Sequence, residues 1–314
     1  MTNVMPKPLD APALHWTDRL PAFWRPYAQL SRLDRPIGWR LLLMPCWMGL
    51  ALGRTGQAFT LIDALYAAAF VLGAIVMRGA GCTLNDIVDR DIDAKVARTA
   101  ARPIPSGAVT RKAAAMWLVA QCAAGLVALL AFPADAQIAA LASLPLVAAY
   151  PFMKRITWWP QAWLGLVFSW GALVAGLAVG ADWRVIAALY AGCIAWVIGY
   201  DTIYALQDRE DDALIGVRST ARLFGARWRL YTTLFYIAAF ALWGCAAVFA
   251  GAQWPTLAGL VAVGALLAWP LLRHADPGKA GAALAAFQQN AWVGFAIAIV
   301  FAIEPLARTL QALR

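Results

Sequence analysis

Acidic side chains are concentrated in two short windows of this chain. Nine of its 17 acidic residues lie within residues 85–93 and 200–212. The first window carries oxygen-bearing side chains every four residues, at Asn85, Asp89 and Asp93, a spacing that places them on one face of a helix. Like charges at this spacing repel each other. The pattern therefore indicates a bound cation that neutralises the group.

The second window repeats this arrangement. Its side chains that share a helical face by the same spacing are Asp201, Tyr204, Asp208 and Asp212. A connector containing arginine, hydroxyl residues and glycine follows each window, at residues 102–107 and 218–225. An apolar run, an acidic face and a basic loop thus occur twice, which indicates a weak internal repeat.

The residue types indicate a particular ligand chemistry. Carboxylates with no histidine or cysteine within either window favour a hard divalent cation such as Mg²⁺ over Zn²⁺. Proteins usually hold Mg²⁺ with one or two carboxylates together with phosphate oxygens of the substrate. Two such clusters suit a diphosphate bridged by metal ions, and flanking arginine and lysine side chains would bind the remaining phosphate charge. The sequence therefore predicts a diphosphate site.

The elements that must position these windows are apolar helices. Hydrophobic residues make up 62% of the 314 residues, charged residues only 14%, and there are 16 tryptophans, which is far from the average soluble domain. Apolar runs of about 20 residues, long enough to cross a bilayer, leave no room for a sizeable soluble domain. We predict an all-α polytopic membrane protein, with an N-terminal cytoplasmic tail at residues 1–32 and a transmembrane domain at residues 33–314.

About nine spans are expected. They are predicted at residues 37–52, 61–84, 113–132, 137–152, 162–180, 185–206, 230–250, 256–272 and 291–310. The polar, proline-bearing segment that ends near Pro21 is expected to be a loosely ordered tail. The two acidic windows follow the second and sixth spans, which run in the same direction. We therefore expect the windows to emerge on the same side of the membrane and to meet.

Basic residues indicate the orientation of the chain. Lysine and arginine are concentrated in the N-terminal tail and in the second, fourth, sixth and eighth connectors, with a bias of about five to one that places these segments in the cytoplasm. The formal net charge of +9 is explained by this orientation, so nucleic acid is not an expected partner. We expect an integral protein of a bacterial inner membrane whose site faces the cytoplasm and binds an isoprenoid diphosphate with its tail in the bilayer.

These residues resemble the UbiA family of intramembrane prenyltransferases. The resemblance rests on Asn85-Asp86-x-x-Asp89-x-x-x-Asp93, on Asp201-x-x-Tyr204-Ala205-x-Gln207-Asp208-x-x-Asp211-Asp212, and on residues 33–38, 102–107, 150–155 and 216–225. It extends along most of the chain and is strongest to the branch that prenylates 4-hydroxybenzoate in the ubiquinone pathway. One departure is Arg218, where the family is expected to have lysine. The departure matters because a planar guanidinium does not contact phosphate as an ammonium does.

The resemblance implies a nine-helix bundle around a central cavity open to lipid. It also implies Mg²⁺-dependent transfer of a polyprenyl group from polyprenyl diphosphate to the ring of 4-hydroxybenzoate, beside its hydroxyl. The implied metal ligands are Asn85, Asp89 and Asp93 for one ion, and Asp208 and Asp212 for the other. The basic residues expected at the departing diphosphate are Lys95, Arg98, Arg102 and Arg218.

Other residues receive roles in the acceptor chemistry. Asp201 and Tyr204 are expected to steady the allylic cation or to help remove the ring proton, and Asp89 and Asp208 are further catalytic candidates through the metal ions. Arg155 and Arg35 are candidates for the carboxylate of 4-hydroxybenzoate. For Arg155, an orientation charge at the membrane surface is an equally good interpretation.

Several simpler interpretations stay open. Asp91, Glu210 and Asp211 point away from the shared faces and are expected to be solvated charges, and Trp158 and Trp159 are expected to be interface anchors. A sister enzyme with another aromatic acceptor would share the same metal site. A secondary transporter would also show many spans and few intramembrane charges, but transporters tend to place such charges near the midplane.

Overall fold

The structure is a computed structural model, which describes residues 15–94, 99–214, 216–276, 279 and 281–314. These residues contain helices and no strand. The α-helices are α1 (Arg25–Leu30), α2 (Ile37–Gly53), α3 (Leu61–Asp93), α4 (Arg111–Leu129), α5 (Ala134–Ala142), α6 (Leu144–Ile156), α7 (Pro160–Ala178), α8 (Trp183–Ala205), α9 (Arg209–Leu214), α10 (Thr220–Phe224), α11 (Trp228–Phe249), α12 (Trp254–Val263), α13 (Trp269–His274) and α14 (Ala282–Ala312). The all-α prediction is confirmed.

Eight helical segments are long and apolar enough to cross a membrane. They are Leu61–Asp91, Arg111–Leu129, Ala134–Ile156, Pro160–Ala178, Trp183–Asp208, Thr220–Phe249, Trp254–His274 and Ala282–Ala312. Helix α2, with 17 residues, is a shorter apolar helix. Together they match the predicted spans in order, which confirms the prediction of a polytopic membrane protein. The central cavity stays a prediction.

Proline explains where some of these helices begin or divide. The predicted fourth span is divided into α5 and α6 at Ser143, and Pro145 lies in the first turn of α6. Proline is tolerated there because the first N–H groups of a helix have no intrahelical partner. Helix α7 likewise begins at Pro160. In contrast, Pro45 lies inside α2, which continues past it.

The described residues form two compact units. One contains residues 15–40 and 71–129, and the other contains residues 41–70 and 130–314. Helices α2 and α3 each contribute residues to both units. The first acidic window belongs to the first unit, and the second window belongs to the second unit, so the two windows are described separately below.

The first unit has a small apolar core around Leu30 of α1. Leu30, Val109 and Ala114 are buried together, and the rings of Tyr27 and Trp117 pack against them with centroids 5.4 Å apart. Upstream of α1, Trp16–Arg19 forms a 3₁₀ turn. Part of the segment expected to be loosely ordered is therefore structured, with the His15 side chain accepting from the N–H of Thr17 and the Asp18 side chain accepting from the N–H of His15 at 2.9 Å.

The second unit is built around α8, which packs closely against α11 through glycine. A Cβ added at Gly192 or at Gly199 would lie 2.6 Å from a ring atom of Trp243 or of Tyr236, respectively. Small residues allow such close approach between membrane helices, where van der Waals packing rather than the hydrophobic effect holds helices together. The position of α8 matters because its last turns carry Asp201 and Tyr204.

A buried asparagine links three helices of the second unit. The Oδ1 atom of Asn290 in α14 accepts hydrogen bonds from Trp196 Nε1 of α8 at 2.9 Å and from the Tyr236 hydroxyl of α11 at 2.5 Å. Its Nδ2 donates to the carbonyl of Ala286 at 2.9 Å. Polar groups in an apolar interior must be satisfied internally. The hydrogen bonds of Asn290 therefore hold α8, α11 and α14 in a defined arrangement.

Candidate active site

The first acidic window lies at the end of α3, a continuous helix. Asn85 is half-buried, whereas Asp89 and Asp93 are 1% and 7% exposed. Because the helix is uninterrupted through Asp93, the spacing of four residues places all three on one face, as predicted. Burying carboxylates at the end of an apolar span is costly unless cations or hydrogen-bond donors neutralise them. Asp91 is exposed and pairs with Arg90 at 3.1 Å, as expected for a solvated charge.

Asp86, for which the spacing predicted no role, is fully buried. Its Oδ1 and Oδ2 atoms accept hydrogen bonds from Arg32 Nη2 at 2.7 and 3.0 Å, and Arg102 Nη1 lies 3.3 Å from Oδ1. Arg32 also donates to the carbonyl of Gln29 at 2.8 Å. A carboxylate within an apolar helix needs a counter-charge, and that requirement is the signal by which the sequence indicates a role for Asp86.

Arg102 lies where the sequence predicts a phosphate-binding residue beside metal ligands. Its Nη1 donates to Asp93 Oδ2 at 2.7 Å, and its side chain is 15% exposed. Burial raises the pKa of Asp93, and the Arg102 guanidinium opposes that increase. The guanidinium groups of Arg32 and Arg102 thus contact Asp86 and Asp93 at the end of α3. Carboxylate oxygens and guanidinium donors lie together there, which are the groups that bind a hard cation and a phosphate.

A polar network fixes α3 at Thr83, two residues before this window. Thr83 Oγ1 donates to Gln121 Oε1 at 3.1 Å, and Gln121 Nε2 donates to Ser31 Oγ at 2.9 Å. Trp117 Nε1 donates to the same hydroxyl at 2.9 Å. The network joins α3, α4 and the residue after α1. It therefore sets the rotation of α3 that directs Asp86 toward Arg32.

The remaining predicted residues of the first unit are placed less directly. Arg35 Nε donates to Asp34 Oδ2 at 3.3 Å, and Asp34 is 4% exposed. The guanidinium of Arg78 lies against Gly38, where an added Cβ would collide with it. Glycine at position 38 thus allows the half-buried Arg78 to lie beside α2. Lys95 and Arg98, the other predicted phosphate ligands, lie outside the described residues.

The second window does not lie on one uniform helix. Helix α8 ends at Ala205, residues Leu206–Asp208 form a 3₁₀ turn, and α9 follows. Asp201 and Tyr204 share a face of α8, and Asp208 and Asp212 are half-buried like them. The tighter winding of a 3₁₀ turn rotates the chain by about 120° per residue instead of about 100°. The spacing of a uniform α-helix therefore does not apply across this turn, and a face shared by all four residues stays a prediction.

The connector after α9 folds back on the window. The Asp212 carbonyl accepts hydrogen bonds from the N–H of Val217 at 2.9 Å and from Arg222 Nη1 at 3.3 Å. Arg218 reaches the end of α6: its N–H donates to the Lys154 carbonyl at 3.1 Å and its Nη1 to the Ile156 carbonyl at 2.7 Å. The structure thus brings Arg218 beside the segment that contains Arg155.

Trp158 has a role that the sequence analysis did not assign. The Cζ atoms of Arg218 and Arg222 lie 5.8 and 5.2 Å from the centroid of its ring. Cation–π contacts at these distances are attractive. The predicted interface anchor is therefore also a platform for two arginines of the connector.

Buried hydroxyl groups tie this connector to the bundle. The Oγ1 atoms of Thr202 in α8 and Thr220 in α10 are 2.6 Å apart, and the N–H of Thr220 donates to Gln161 Oε1 of α7 at 2.9 Å. Ser219 caps the first turn of α10 by accepting from the N–H of Arg222. The backbone segment that carries Arg218 is therefore held against both α7 and α8.

The donor set fits Mg²⁺. Among the described residues, no three His, Cys, Asp or Glu side chains are gathered as a ready metal site. Mg²⁺ does not require one, because it keeps several waters and takes the rest of its ligands from substrate phosphates. Asp89, Asp93 and Asn85 offer only hard oxygen donors in the first unit, and Asp208 and Asp212 do so in the second. The meeting of the two windows stays a prediction.

Comparisons with known proteins agree with this chemistry. The sequence model of the UbiA prenyltransferase family matches residues 42–292. A protein of Arabidopsis thaliana named 4-hydroxybenzoate polyprenyltransferase, mitochondrial, is 40% identical over 299 residues, covering 94% of this chain and 72% of that protein. Proteins of the same name from Bos taurus and Saccharomyces cerevisiae are 43% and 39% identical, with 83% of this chain and 71% of each relative covered.

Solved structures show the same fold. A UbiA homolog from Aeropyrum pernix K1 superposes with a TM-score of 0.66 at 25% identity, over 85% of this chain and 98% of that one. A UbiA homolog from Archaeoglobus fulgidus, bound to GPP and Mg²⁺, gives a TM-score of 0.62 at 19% identity, over 91% and 99%. At that identity the second likeness concerns the fold alone.

Proposed function

Because this chain belongs to the UbiA prenyltransferase family, we propose that it transfers a polyprenyl group from polyprenyl diphosphate to 4-hydroxybenzoate with the help of Mg²⁺. The new bond forms at the ring carbon beside the hydroxyl, a step of ubiquinone biosynthesis. Relatives that carry the name of this activity support the proposal. A protein of the same fold that binds GPP and Mg²⁺ supports the choice of donor and metal.

One observation carries the proposal. Asp89 and Asp93 are buried at the end of an apolar span, and Arg102 donates to Asp93 at 2.7 Å. Buried ionisable groups in membrane helices are expensive and are usually functional. Oxygen ligands for a hard cation beside an arginine suit a diphosphate whose apolar tail lies in the bilayer.

Different residues are proposed to bind the metal ions and the diphosphate. Asn85, Asp89 and Asp93 would hold one Mg²⁺, and Asp208 and Asp212 would hold another. When bound, Mg²⁺ supplies Lewis-acid stabilisation of the negative charge on the diphosphate. Arg102 and Arg218, with Lys95 and Arg98, bind the remaining phosphate oxygens. They stabilise the charge that develops there as the bond between the allylic carbon and the diphosphate oxygen breaks.

The acceptor side uses other residues. The ring carbon of 4-hydroxybenzoate supplies the electron pair for the new bond to the allylic carbon, and the ring proton at that carbon is then lost to a base. Asp201 and Tyr204, one turn apart on α8, are proposed to steady the cation and to help remove this proton. Arg155 and Arg35 are proposed to hold the carboxylate of the acceptor.

The protein is an integral membrane protein. We propose that its active site faces the cytoplasm, because the connectors that follow the acidic windows belong to the predicted side that carries most of the basic residues. A bacterial inner membrane is the predicted location, and the relatives named above are mitochondrial. Labelling of a cysteine introduced at Glu210, which is exposed, in sealed inverted vesicles and in intact cells tests the orientation.

The experiment that tests the activity uses membranes containing this chain, geranyl diphosphate and 4-hydroxybenzoate, with and without Mg²⁺. Metal-dependent formation of prenylated 4-hydroxybenzoate is the expected result. Diphosphate binding without product would assign a different aromatic acceptor. The absence of metal-dependent diphosphate binding would contradict the whole assignment and favour a transporter.

A pair of variants sharpens this test. Asp89→Asn removes a metal ligand without changing the shape of the side chain, so turnover should fall by at least about 100-fold. Asp91→Asn removes an exposed carboxylate two residues away on the same helix and should leave turnover unchanged. Near-normal turnover in Asp89→Asn would exclude the proposed metal site.

A further inference from the structure

Asp86 is the buried carboxylate of the first window that the proposed function does not use. It is fully buried, and its oxygens are engaged by Arg32 at 2.7 and 3.0 Å and by Arg102 at 3.3 Å. Arg32 is itself fixed, because its Nη1 donates to the carbonyl of Gln29 and its backbone has a φ of +53°, a conformation that L-residues rarely adopt. Asp86 is therefore held by its arginines and directed away from a role as a metal ligand.

Arg102 is shared between two carboxylates. The same nitrogen, Nη1, lies 2.7 Å from Asp93 Oδ2 and 3.3 Å from Asp86 Oδ1. Asp93 is one of the proposed ligands of a divalent cation. A guanidinium and a divalent cation repel each other, and both would be attracted by the negative charge of the same carboxylate. They cannot both be bound to Asp93 at full strength.

We propose that Arg102 and the divalent cation compete for Asp93, and that Asp86 is the positioning residue that keeps Arg102 at the site once the cation has bound Asp93. Arg102 then retains one carboxylate partner and has donors free for the diphosphate, since a guanidinium carries five N–H groups. This inference rests on the proposed function, because it takes Asp93 to be a metal ligand.

The competition is tested by direct metal binding to the purified full-length chain in nanodiscs, with no diphosphate present. Mn²⁺ is the probe, and free Mn²⁺ is measured by electron paramagnetic resonance. Arg102→Gln should bind Mn²⁺ about 5- to 10-fold more tightly, since a competing positive charge has been removed. The same variant should bind inorganic pyrophosphate with Mn²⁺ about 10-fold more weakly. Damage to the fold would weaken both.

Two controls separate competition from general electrostatics. Arg102→Lys keeps the charge, so its Mn²⁺ affinity should stay within about twofold of the unchanged chain. Arg90→Gln removes a charge from the same end of α3, but Arg90 pairs only peripherally with the exposed Asp91 at 3.1 Å. Its Mn²⁺ affinity should also stay within about twofold, because exposed charges are screened.

The role of Asp86 is tested by a double-variant cycle. In Asp86→Asn, Arg102 keeps Asp93 as its only carboxylate, so Mn²⁺ should bind about 5-fold more weakly. In the Arg102→Gln background the same change should have a clearly smaller effect. Removing one partner of a buried ion pair destabilises a protein, so thermal unfolding identifies a variant that does not fold. In that case the test of the competition relies on the Arg102 variants alone.

The outcomes are distinct. Tighter Mn²⁺ binding with weaker pyrophosphate binding in Arg102→Gln supports the inference. Unchanged or weaker Mn²⁺ binding in that variant overturns it, and an equal effect of Asp86→Asn in both backgrounds overturns the positioning role. If the chain shows this competition but forms no product from 4-hydroxybenzoate, the proposed acceptor fails while the inference stands. If the unchanged chain binds Mn²⁺ neither alone nor together with pyrophosphate, both fail.

Discussion

Trp158 provides a test of how the connector after α9 is organised. Its ring contacts the guanidinium groups of Arg218 and Arg222 at 5.8 and 5.2 Å, and Trp158→Ala removes both contacts. Each cation–π contact at a partly exposed site contributes about 0.5–1 kcal/mol. Trp158 is 39% exposed, which places the sum near the lower end, at about 1 kcal/mol, or about fivefold in affinity.

The effect should appear in binding of the diphosphate donor. We expect KM for geranyl diphosphate to rise about fivefold in Trp158→Ala, because Arg218 loses part of its support, with kcat within about twofold. KM for 4-hydroxybenzoate should not change. Trp158→Phe keeps an aromatic face and should retain most of the donor affinity. The assay is the initial rate of prenylation at saturating Mg²⁺ with each substrate varied in turn.

A matched control is Trp183→Ala, which removes an exposed tryptophan, 74% exposed, from the start of α8. It should leave both KM values unchanged. An unaltered donor KM in Trp158→Ala would refute the role of the ring in holding the arginines. An equal loss in Trp158→Phe and Trp158→Ala would assign the effect to packing rather than to cation–π attraction.

Two further predictions concern the second unit. Asn290→Leu leaves the buried Trp196 N–H and Tyr236 hydroxyl without their acceptor, so the free energy of unfolding should fall by about 1–3 kcal/mol; an unchanged Tm in detergent would contradict the role of Asn290 as the link between α8, α11 and α14. Arg155→Ala should raise KM for 4-hydroxybenzoate more than KM for geranyl diphosphate, since a carboxylate loses its partner, whereas an equal rise in both would assign Arg155 to the diphosphate.

Local spacing predicted the first acidic window well and the second less well. Asn85, Asp89 and Asp93 share a face because α3 continues through all of them. In the second window the chain tightens into a 3₁₀ turn after Ala205. A spacing of three or four residues carries no information about where a helix changes its winding.

Trp158 illustrates a different limit. A tryptophan beside basic residues at the end of a membrane helix is explained well by the membrane interface. Its contact with Arg218 joins residues 60 positions apart in the sequence, and it exists because Arg218 donates to the backbone of α6. The spacing of residues within either segment does not predict that contact.

The sequence by itself determined the class of protein, the order of the helices, the concentration of carboxylates in two windows and the family. These follow from composition and from spacing within a single helix, where neighbours in sequence are neighbours in space. Only the tertiary structure decided that Asp86 binds Arg32, 54 residues away, and that Arg102 lies between Asp86 and Asp93. A buried charge requires a partner, but which partner depends on the packing of α1, α3 and the loop after them.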